Sequence, residues 1–558
     1  MVKRLRKHVL ALFIMAMSFI SIMASLALMM PMAQAAPDEV VIITPHAVTI
    51  QKVADADFKA WYKAKTGRDV AIIWDSKDTT TALALIREAG GDPAKVKWDV
   101  WWGGGLDAFK IAKGAGLLAP FRLPGDPEWE DINKNVPVSF AGLPLKDTTD
   151  YTWWGSALSG FGIMYNKKYL AASKLPTPND WTDLTDPIYK GHIIACPPSK
   201  SGSNHMIVEI ILQYYGWEKG WALLTKVGAN TAEYTEKSAQ VPPYIGKGER
   251  GIAPVIDFYG YGQAMVNPDV VFLYPPADSA VKSTVINPDS VAILKGKGDA
   301  NPTAIEFMKF TLGKAGQKML FNKDILRSPV RPDVYAEAPS GYFNPFVTEL
   351  KLASYNDTLG TLRWDIINDL FDIMLIAKKD DLVRAWAAYT EAEDYIAKQK
   401  KAGIDTLVPP PLSLPESNAK LAEAHKALTS PPITTAEAEA ISPTYKDKRE
   451  EYKAKWLAFA TTKYSDAVKL SSDAKVVCAQ EVSKIRETYL EKIRSEAIKA
   501  LEEKVKTLEA NTKTLSAQVT ALQVVATNNL YYGLGGGVII GLIIGVLITY
   551  AYLRKKPA

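Results

Sequence analysis

The chain has 558 residues, of which 47% are hydrophobic and 23% charged, a composition that excludes a disordered or fibrous protein and supplies a core. Its 66 basic and 61 acidic residues leave a net charge of +5, which gives no electrostatic case for nucleic acid as a partner. At roughly 150 residues per domain, the length allows about three or four units.

The first element is a basic stretch, Met1 to His8, followed by an uncharged apolar run from Val9 to Met30, then Pro31 and Ala33-Gln34-Ala35. That order predicts a secretory signal peptide over residues 1–35, cut after Ala35 or Ala36. The apolar run is long for a signal, so an uncleaved anchor is the alternative. No cysteine lies near the cut, which excludes a lipid-anchored lipoprotein.

From residue 38 to about 335, β-type runs alternate with helical patterns. Val40–Ile43 predicts a buried strand, Phe58–Thr66 a helix stopped by Gly67, and Val70–Trp74 a second strand. Thr79–Ala89 predicts a helix ending at Gly90-Gly91, and Lys97–Trp102 a third strand. This βαβαβ rhythm predicts an α/β sheet. Residues 336–400 turn helical, with Trp364–Ala377 and Asp381–Lys398 as the clearest stretches. Prolines 409, 410, 411, 415, 431, 432 and 443 mark residues 401–445 as a linker around a short helix, Ser417–Leu428.

Residues 446–525 predict a helical stalk. Within it, 498–525 is a heptad array with Ile498, Val505, Thr512 and Val519 at a and Leu501, Leu508, Leu515 and Leu522 at d. Such spacing predicts a coiled coil, the alternative being an amphipathic helix packed on its own domain. The run Leu530–Leu553 is long enough to cross a bilayer at about 1.5 Å per residue and carries tyrosines at both ends. Arg554, Lys555 and Lys556 follow it, so a short tail, 554–558, is expected in the cytoplasm and the bulk of the chain outside. Glycines 533, 537, 541 and 545 allow close approach of another helix, the alternative being a Gly-rich anchor with no partner. A homo-oligomer through stalk and anchor is therefore an expected partner.

Catalytic and metal motifs are missing. There is no GxSxG, P-loop or HExxH pattern, and the histidines form no recognisable triad. The only cysteines, Cys196 and Cys478, belong to no CxxC or Cys/His cluster, so neither zinc nor a cofactor is expected. This argues against the common enzyme classes, while a surface structural or adhesion protein, which the stalk and anchor also fit, stays open.

Several segments in fixed order carry a resemblance: Asp99–Gly105, Ala112–Pro120, Phe161–Lys167, Pro178–Gly191, Pro198–Ser203 and Val255–Tyr259. With them, residues 38 to about 335 resemble the extracellular solute-binding proteins of ABC importers, in the branch of ferric-ion and sugar-phosphate binders. The resemblance implies a two-lobed, periplasmic-binding-protein-like α/β fold with the ligand between the lobes. Lobe one would take about 38–154 and 271–325, and lobe two about 155–270 and 326–400. It also implies ABC permease subunits as partners. The ligand it implies is a small anionic organic solute, such as a sugar phosphate or carboxylate, or else ferric iron or its chelate.

Candidate ligand residues come from loops at strand ends. Ser199, Ser201, Gly202, Ser203 and Asn204 precede the helical run Met206–Tyr215, where backbone N–H groups and Lys200 attract an anion. The alternative for the serines is ordinary N-capping. Val255–Tyr261 reads as a strand ending in a turn. It offers Asp257 to a hydroxyl or ammonium group, and Tyr259 and Tyr261 to a metal. The resembled ferric binders have adjacent tyrosines here, whereas Gly260 separates them in this chain. His46 and Ser76 lie in strand-end loops. Trp102 and Trp154 are candidates for the cleft wall, since only one residue of each tryptophan pair can face it. If the ligand is ferric iron, Tyr259, Tyr261 and His46 are the expected ligands.

Overall fold

The computed structural model describes residues 15–18, 37–403, 411–530 and 548–549. The uncharged run at Val40 forms the middle of strand β1 (Asp38–Thr44), followed by α1 (Val48–Thr66), β2 (Val70–Ser76), α2 (Thr79–Ala89), β3 (Val100–Gly105) and α3 (Leu106–Gly114). β1 pairs in parallel with β2 from Asp38↔Val70 to Thr44↔Ser76, and with β3 at Ile42↔Val100. Parallel strands are covered on both faces, and Val40, Ile42, Ile43, Val100 and Trp101 are accordingly buried. α1 begins ten residues before the sequence-predicted Phe58 because Ile50, Ala54, Phe58 and Tyr62 make one buried stripe at helical spacing.

The sheet continues through β4 (Trp154–Asn166), every residue of which is buried. Helix α4 (Gly202–Tyr214), strand β5 (Ile252–Ile256), helix α5 (Asp257–Val266) and strand β6 (Ile286–Leu294) follow. From Trp154 to Gly160, β4 pairs antiparallel with β6; from Phe161 onward it pairs with β5 and with Val270–Leu273. One strand therefore serves two halves of an 11-stranded sheet, the order being β2-β1-β3-β6-β4-β5, then Ile193–Ala195 and Thr231–Tyr234.

Helix α6 (Asp357–Phe371) touches elements of both halves. Its Asp357 and Asp365 pair with Lys110 of α3 (2.9 Å) and Arg87 of α2 (3.1 Å). On the other side, Arg363 pairs with Glu209 of α4, and Asn368 Oδ1 lies 2.8 Å from His205 Nδ1. Just before α6, the Tyr355 hydroxyl donates to Asp107. Burial pushes the Asp107 carboxyl up to about 8, helped by the nearby Glu209 and Asp357 charges and opposed by the Tyr355 bond. A raised carboxyl stabilises the fold while it is neutral. That contribution is complete below the ordinary value near 3.9 and is lost as pH rises toward about 8. Asp107→Asn, always neutral, is expected to flatten the fall in melting temperature between pH 5 and pH 8. Parallel curves for the two proteins would assign that fall to another group.

The chain divides into Met1–Ala392 with Leu421–Ser472, and Glu393–Lys420 with Asp473–Ala558. The expected Pro-rich linker is more ordered than its composition implies. Prolines fit the first helical turn, and helices Pro415–Thr429 and Thr435–Ile441 form there, with Ala424, Leu428 and Ala438 buried in the first unit. In the second unit, Glu481 accepts from the N–H groups of Glu416 and Ser417 at 2.8 and 2.9 Å. Helix α7 (Arg449–Leu530) has 82 residues and contains the heptad array. Apart from 15–18, the expected signal peptide lies outside the described residues, as does the apolar segment 530–553 apart from Leu530 and 548–549. Among the described residues, no helix is long and apolar enough to cross a membrane.

Candidate functional site

β1, β2 and β3 end at Thr44, Ser76 and Gly105, and these three residues line one cavity of about 240 Å³. Strand ends of an α/β sheet are where the following helices begin. Ala47 and Val48 at the start of α1, Asp78 and Thr79 at the start of α2, and Gly105 before α3 all lie on the cavity wall. From the other half of the sheet come Ser201 and Gly202 at α4, and Ile256 and Phe258 at α5. Five helix N-termini thus converge, and those of α1, α3 and α5 have no side-chain cap. Each N-terminus carries partial positive charge and favours an anion by about 0.3–1 kcal/mol. Lys77, Lys200, Lys237 and Arg327 add full charges to the lining, against Asp78 and Asp289.

At the wall, Arg327, Asp289 and His46 form a buried triangle. Arg327 Nη1 pairs with Asp289 Oδ2 and lies 2.7 Å from His46 Nε2, which is 3.0 Å from the same Asp289 oxygen. The Gly104 N–H donates to the other Asp289 oxygen. Burial would raise the Asp289 carboxyl, but the Arg327 charge and the bonds from His46 and Gly104 hold it well below the usual range. Burial and Arg327 together lower His46, against the pull of Asp289, so the imidazole is held neutral. Arg327 also lies over the Phe258 ring, 4.2 Å from its centroid. Space for this triangle depends on Gly103 at φ 104°, where a Cβ would sit 2.7 Å from His46 Nε2.

Four residues of the lining hold buried polar atoms without a hydrogen-bond partner: Ser159 Oγ, Asn287 Nδ2, Arg327 Nε and His46 Nδ1. Buried polar groups are paired in the great majority of cases. Four orphans around one cavity, at least two of them (the Asn287 amide and the Arg327 Nε–H) obligate donors, match a bound molecule rich in oxygen acceptors.

Of the residues chosen from sequence, His46, Ser76, Ser201, Gly202, Ser203 and Tyr259 line the cavity. The others do not. Ser199 donates to Asp372 (2.9 Å) and faces a separate polar cavity with Arg87 and Arg449. Asn204 is buried behind Ser201, to whose Oγ its amide donates at 3.1 Å. Asp257 is buried under the wall, accepting from the Gly160 N–H (2.6 Å) and the Tyr274 hydroxyl (2.7 Å). Burial pushes its carboxyl up to about 6 against those bonds. Trp102 packs beneath His46, ring centroids 4.1 Å apart, and Trp154 packs on Phe121 and Tyr151.

The expected turn at Asp257 is instead the start of α5. On a helix, residues two apart point about 200° apart. Tyr259 therefore faces the cavity while Tyr261 packs on Phe272, ring centroids 5.1 Å apart. The expected metal set of Tyr259, Tyr261 and His46 does not converge. Among the described residues, no group of three or more His, Cys, Asp or Glu side chains is placed to hold a metal ion.

Ser201 turns out to be the N-cap of α4, its Oγ accepting from the Asn204 N–H at 3.2 Å. Ser201→Ala is expected to cost about 0.5–2 kcal/mol of stability, and Ser201→Gly only a few tenths. Equal losses in chemical denaturation would contradict a capping role. Next to it, a Cβ on Gly202 would sit 2.8 Å from Thr79 Oγ1, so only glycine lets α2 and α4 meet here.

Sequence reading missed Ser159, Asn287, Asp289 and Arg327. Asp289 had at most a weak signal, lying in the polar stretch Asn287–Ser290 just before the apolar run Val291–Leu294. Arg327 had none.

With this geometry in place, residues 105–347 match the family of bacterial extracellular solute-binding proteins. The chain is 32% identical over 238 residues to the phosphoglycerate transport regulatory protein PgtC of Salmonella typhimurium, covering 42% of this chain and 57% of that protein. An uncharacterised protein of Haemophilus influenzae is 26% identical over 265 residues, covering 46% and 70%. The chain thus spans little more than half the length of PgtC. The fold is similar to that of the periplasmic binding protein AfuA of Actinobacillus pleuropneumoniae, solved with exogenous fructose-6-phosphate bound. That likeness has a TM-score of 0.52 at 20% identity, over 61% of this chain and 99% of AfuA. The mixed α/β binding-protein fold implied by the sequence resemblance is the one observed.

Proposed function

Because residues 105–347 carry the match to the bacterial extracellular solute-binding family, we propose that the cleft captures a small anionic, oxygen-rich organic solute. The protein then delivers it to the permease of an ABC importer. The observation that carries this reading is the set of orphaned polar atoms on a wall where five helix N-termini converge. A phosphate or carboxylate meets the helix ends and Lys200, while its hydroxyl and carbonyl oxygens meet Asn287, Ser159 and Arg327. PgtC, by its name, acts in phosphoglycerate transport, and AfuA was solved with fructose-6-phosphate, so phosphorylated solutes are the first to try.

The geometry argues against ferric iron. A hard cation needs several anionic oxygens free to bind it, yet among the described residues the wall offers the Tyr259 phenol, the Asp78 carboxylate that caps α2 and the Asp289 carboxylate already paired with Arg327. The reading is of binding rather than catalysis. A built polar cavity also favours solute capture over adhesion. The signal peptide and the C-terminal anchor, the tyrosine-flanked run before Arg554, belong to the same reading, with the bulk of the chain outside the membrane. The heptad face of α7 serves association between copies.

Titration calorimetry of the full chain in detergent, with fructose-6-phosphate, phosphoglycerate, fructose and ferric citrate, tests the proposal. Heat is expected from a phosphorylated probe and none from fructose. Saturable ferric binding with a visible phenolate absorption that Tyr259→Phe abolishes would replace the anion with iron.

A further inference from the structure

Residues 498–525 of α7 form a helix whose apolar seam has no cover among the described residues: Ile498, Leu501, Val505, Leu508, Leu515 and Leu522 are between 49 and 61% exposed. We propose that this seam pairs with the same residues of a second copy as a parallel, in-register, two-stranded coiled coil. The inference rests on reading 498–525 as an association surface and adds its partner, direction and strand number.

The choice of residues selects the partner. Every a position (Ile498, Val505, Thr512, Val519) is β-branched and every d position is leucine. In parallel coiled coils, β-branched a with leucine d fits the two-stranded packing, while other combinations shift to three or four strands. Thr512 is the one polar a residue. In register it meets Thr512 of the second copy, whereas any slipped pairing sets its hydroxyl against an apolar side chain.

Flanking charges select the direction. In a parallel pair, g of one heptad meets e of the next heptad across the seam. Lys504 occupies g and Glu509 the following e, so a parallel dimer sets them together on both edges. An antiparallel pair over the same residues brings g to g and e to e. Lys504 then faces Gln518, Glu502 faces Ser516, and Glu509 faces the Glu509 of the second copy, so no opposite charges meet and one like pair does. The array spans about 42 Å at 1.5 Å per residue. A parallel arrangement sends both copies' chains from the same end toward residue 530, as a pair entering one membrane requires. Each assembly then carries two solute-binding units.

The test uses the full chain in non-denaturing detergent. Sedimentation is expected to give a dimer mass. Leu501→Cys, at a d position, is expected to form an intermolecular disulfide under mild oxidation, while the native Cys196 and Cys478 are buried and do not contribute. In an antiparallel pair over the same residues a packs against d, so Leu501 faces Val519 of the second copy, the two copies of residue 501 lie about 27 Å apart at 1.5 Å per residue, and Leu501→Cys cross-links only to a copy carrying Val519→Cys. Lys504→Glu is expected to weaken the dimer several-fold, and Lys504→Glu with Glu509→Lys to restore it. A monomer throughout would overturn both the inference and the association reading beneath it. A trimer mass, a cross-link confined to 501–519, or no rescue by the charge swap would overturn the two-stranded parallel pairing alone.

Discussion

Arg327→Met is expected to weaken capture of the anionic solute by about 10- to 150-fold, the worth of one charge-assisted hydrogen bond of roughly 1.5–3 kcal/mol. The same change removes the partner that holds the buried Asp289 carboxylate. Breaking a buried pair from one side costs about 3–5 kcal/mol of stability. A loss of binding in the single variant is therefore ambiguous between a missing contact and a loosened fold. Asp289→Asn with Arg327→Met separates the two. The amide that replaces the carboxylate is uncharged, keeps its shape and still accepts from the Gly104 N–H, so stability is expected to recover while affinity stays low. Wild-type affinity in the double variant would remove Arg327 from the site. Acid adds a check by sign. A carboxyl held below its ordinary value contributes stability above that value and loses it as pH falls below about 4. Asp289→Asn is expected to lose less stability than the wild type on acidification.

Arg363→Met is expected to destabilise the first unit by a similar amount without touching the cleft. Arg363 and Glu209 are 2 and 0% exposed, and the guanidinium also donates to Thr435 Oγ1 (2.9 Å) and lies 4.9 Å from the centre of the Trp217 ring. Losing it leaves Glu209 buried beside Asp107, at a cost of about 3–5 kcal/mol. Burial pushes the Glu209 carboxyl up and Arg363 opposes this. Without Arg363 the carboxyl rises further, so Arg363→Met is expected to lose more stability at pH 8 than at pH 5. Glu209→Gln with Arg363→Met recovers most of it. Urea denaturation at the two pH values measures all three. A variant as stable as wild type would show that α6 is held by apolar packing alone.

Local chemistry makes several elements readable from the chain alone. Helix Thr79–Ala89 appears with the same limits because its signals are neighbours in sequence: Asp78 accepts from the Thr81 N–H and Gly90 ends the helix in a left-handed conformation. The same holds for the strand runs at Val40 and Val70 and for the heptads of α7. Capping, periodicity and helix stops act over three or four residues, so a sequence displays them. Even the neighbourhood of the cleft is legible at this level, since strand ends and helix starts lie side by side along the chain.

What those loops do to one another was decided by tertiary structure. Tyr259 and Tyr261 separate because residue 257 begins a helix, and only the packing of α5 against the sheet determines that. Ser199 and Ser201, two residues apart, end in different cavities for the same reason. His46, Asp289 and Arg327 are brought together across 243 and 281 positions of chain by β6 lying between β3 and β4. A sheet register sums many contacts distant in sequence, and a single chain read by periodicity contains no term for any of them. The sequence by itself thus determined the α/β rhythm and the helical array, while the identity of the charged groups in the cleft depended on which strands became neighbours.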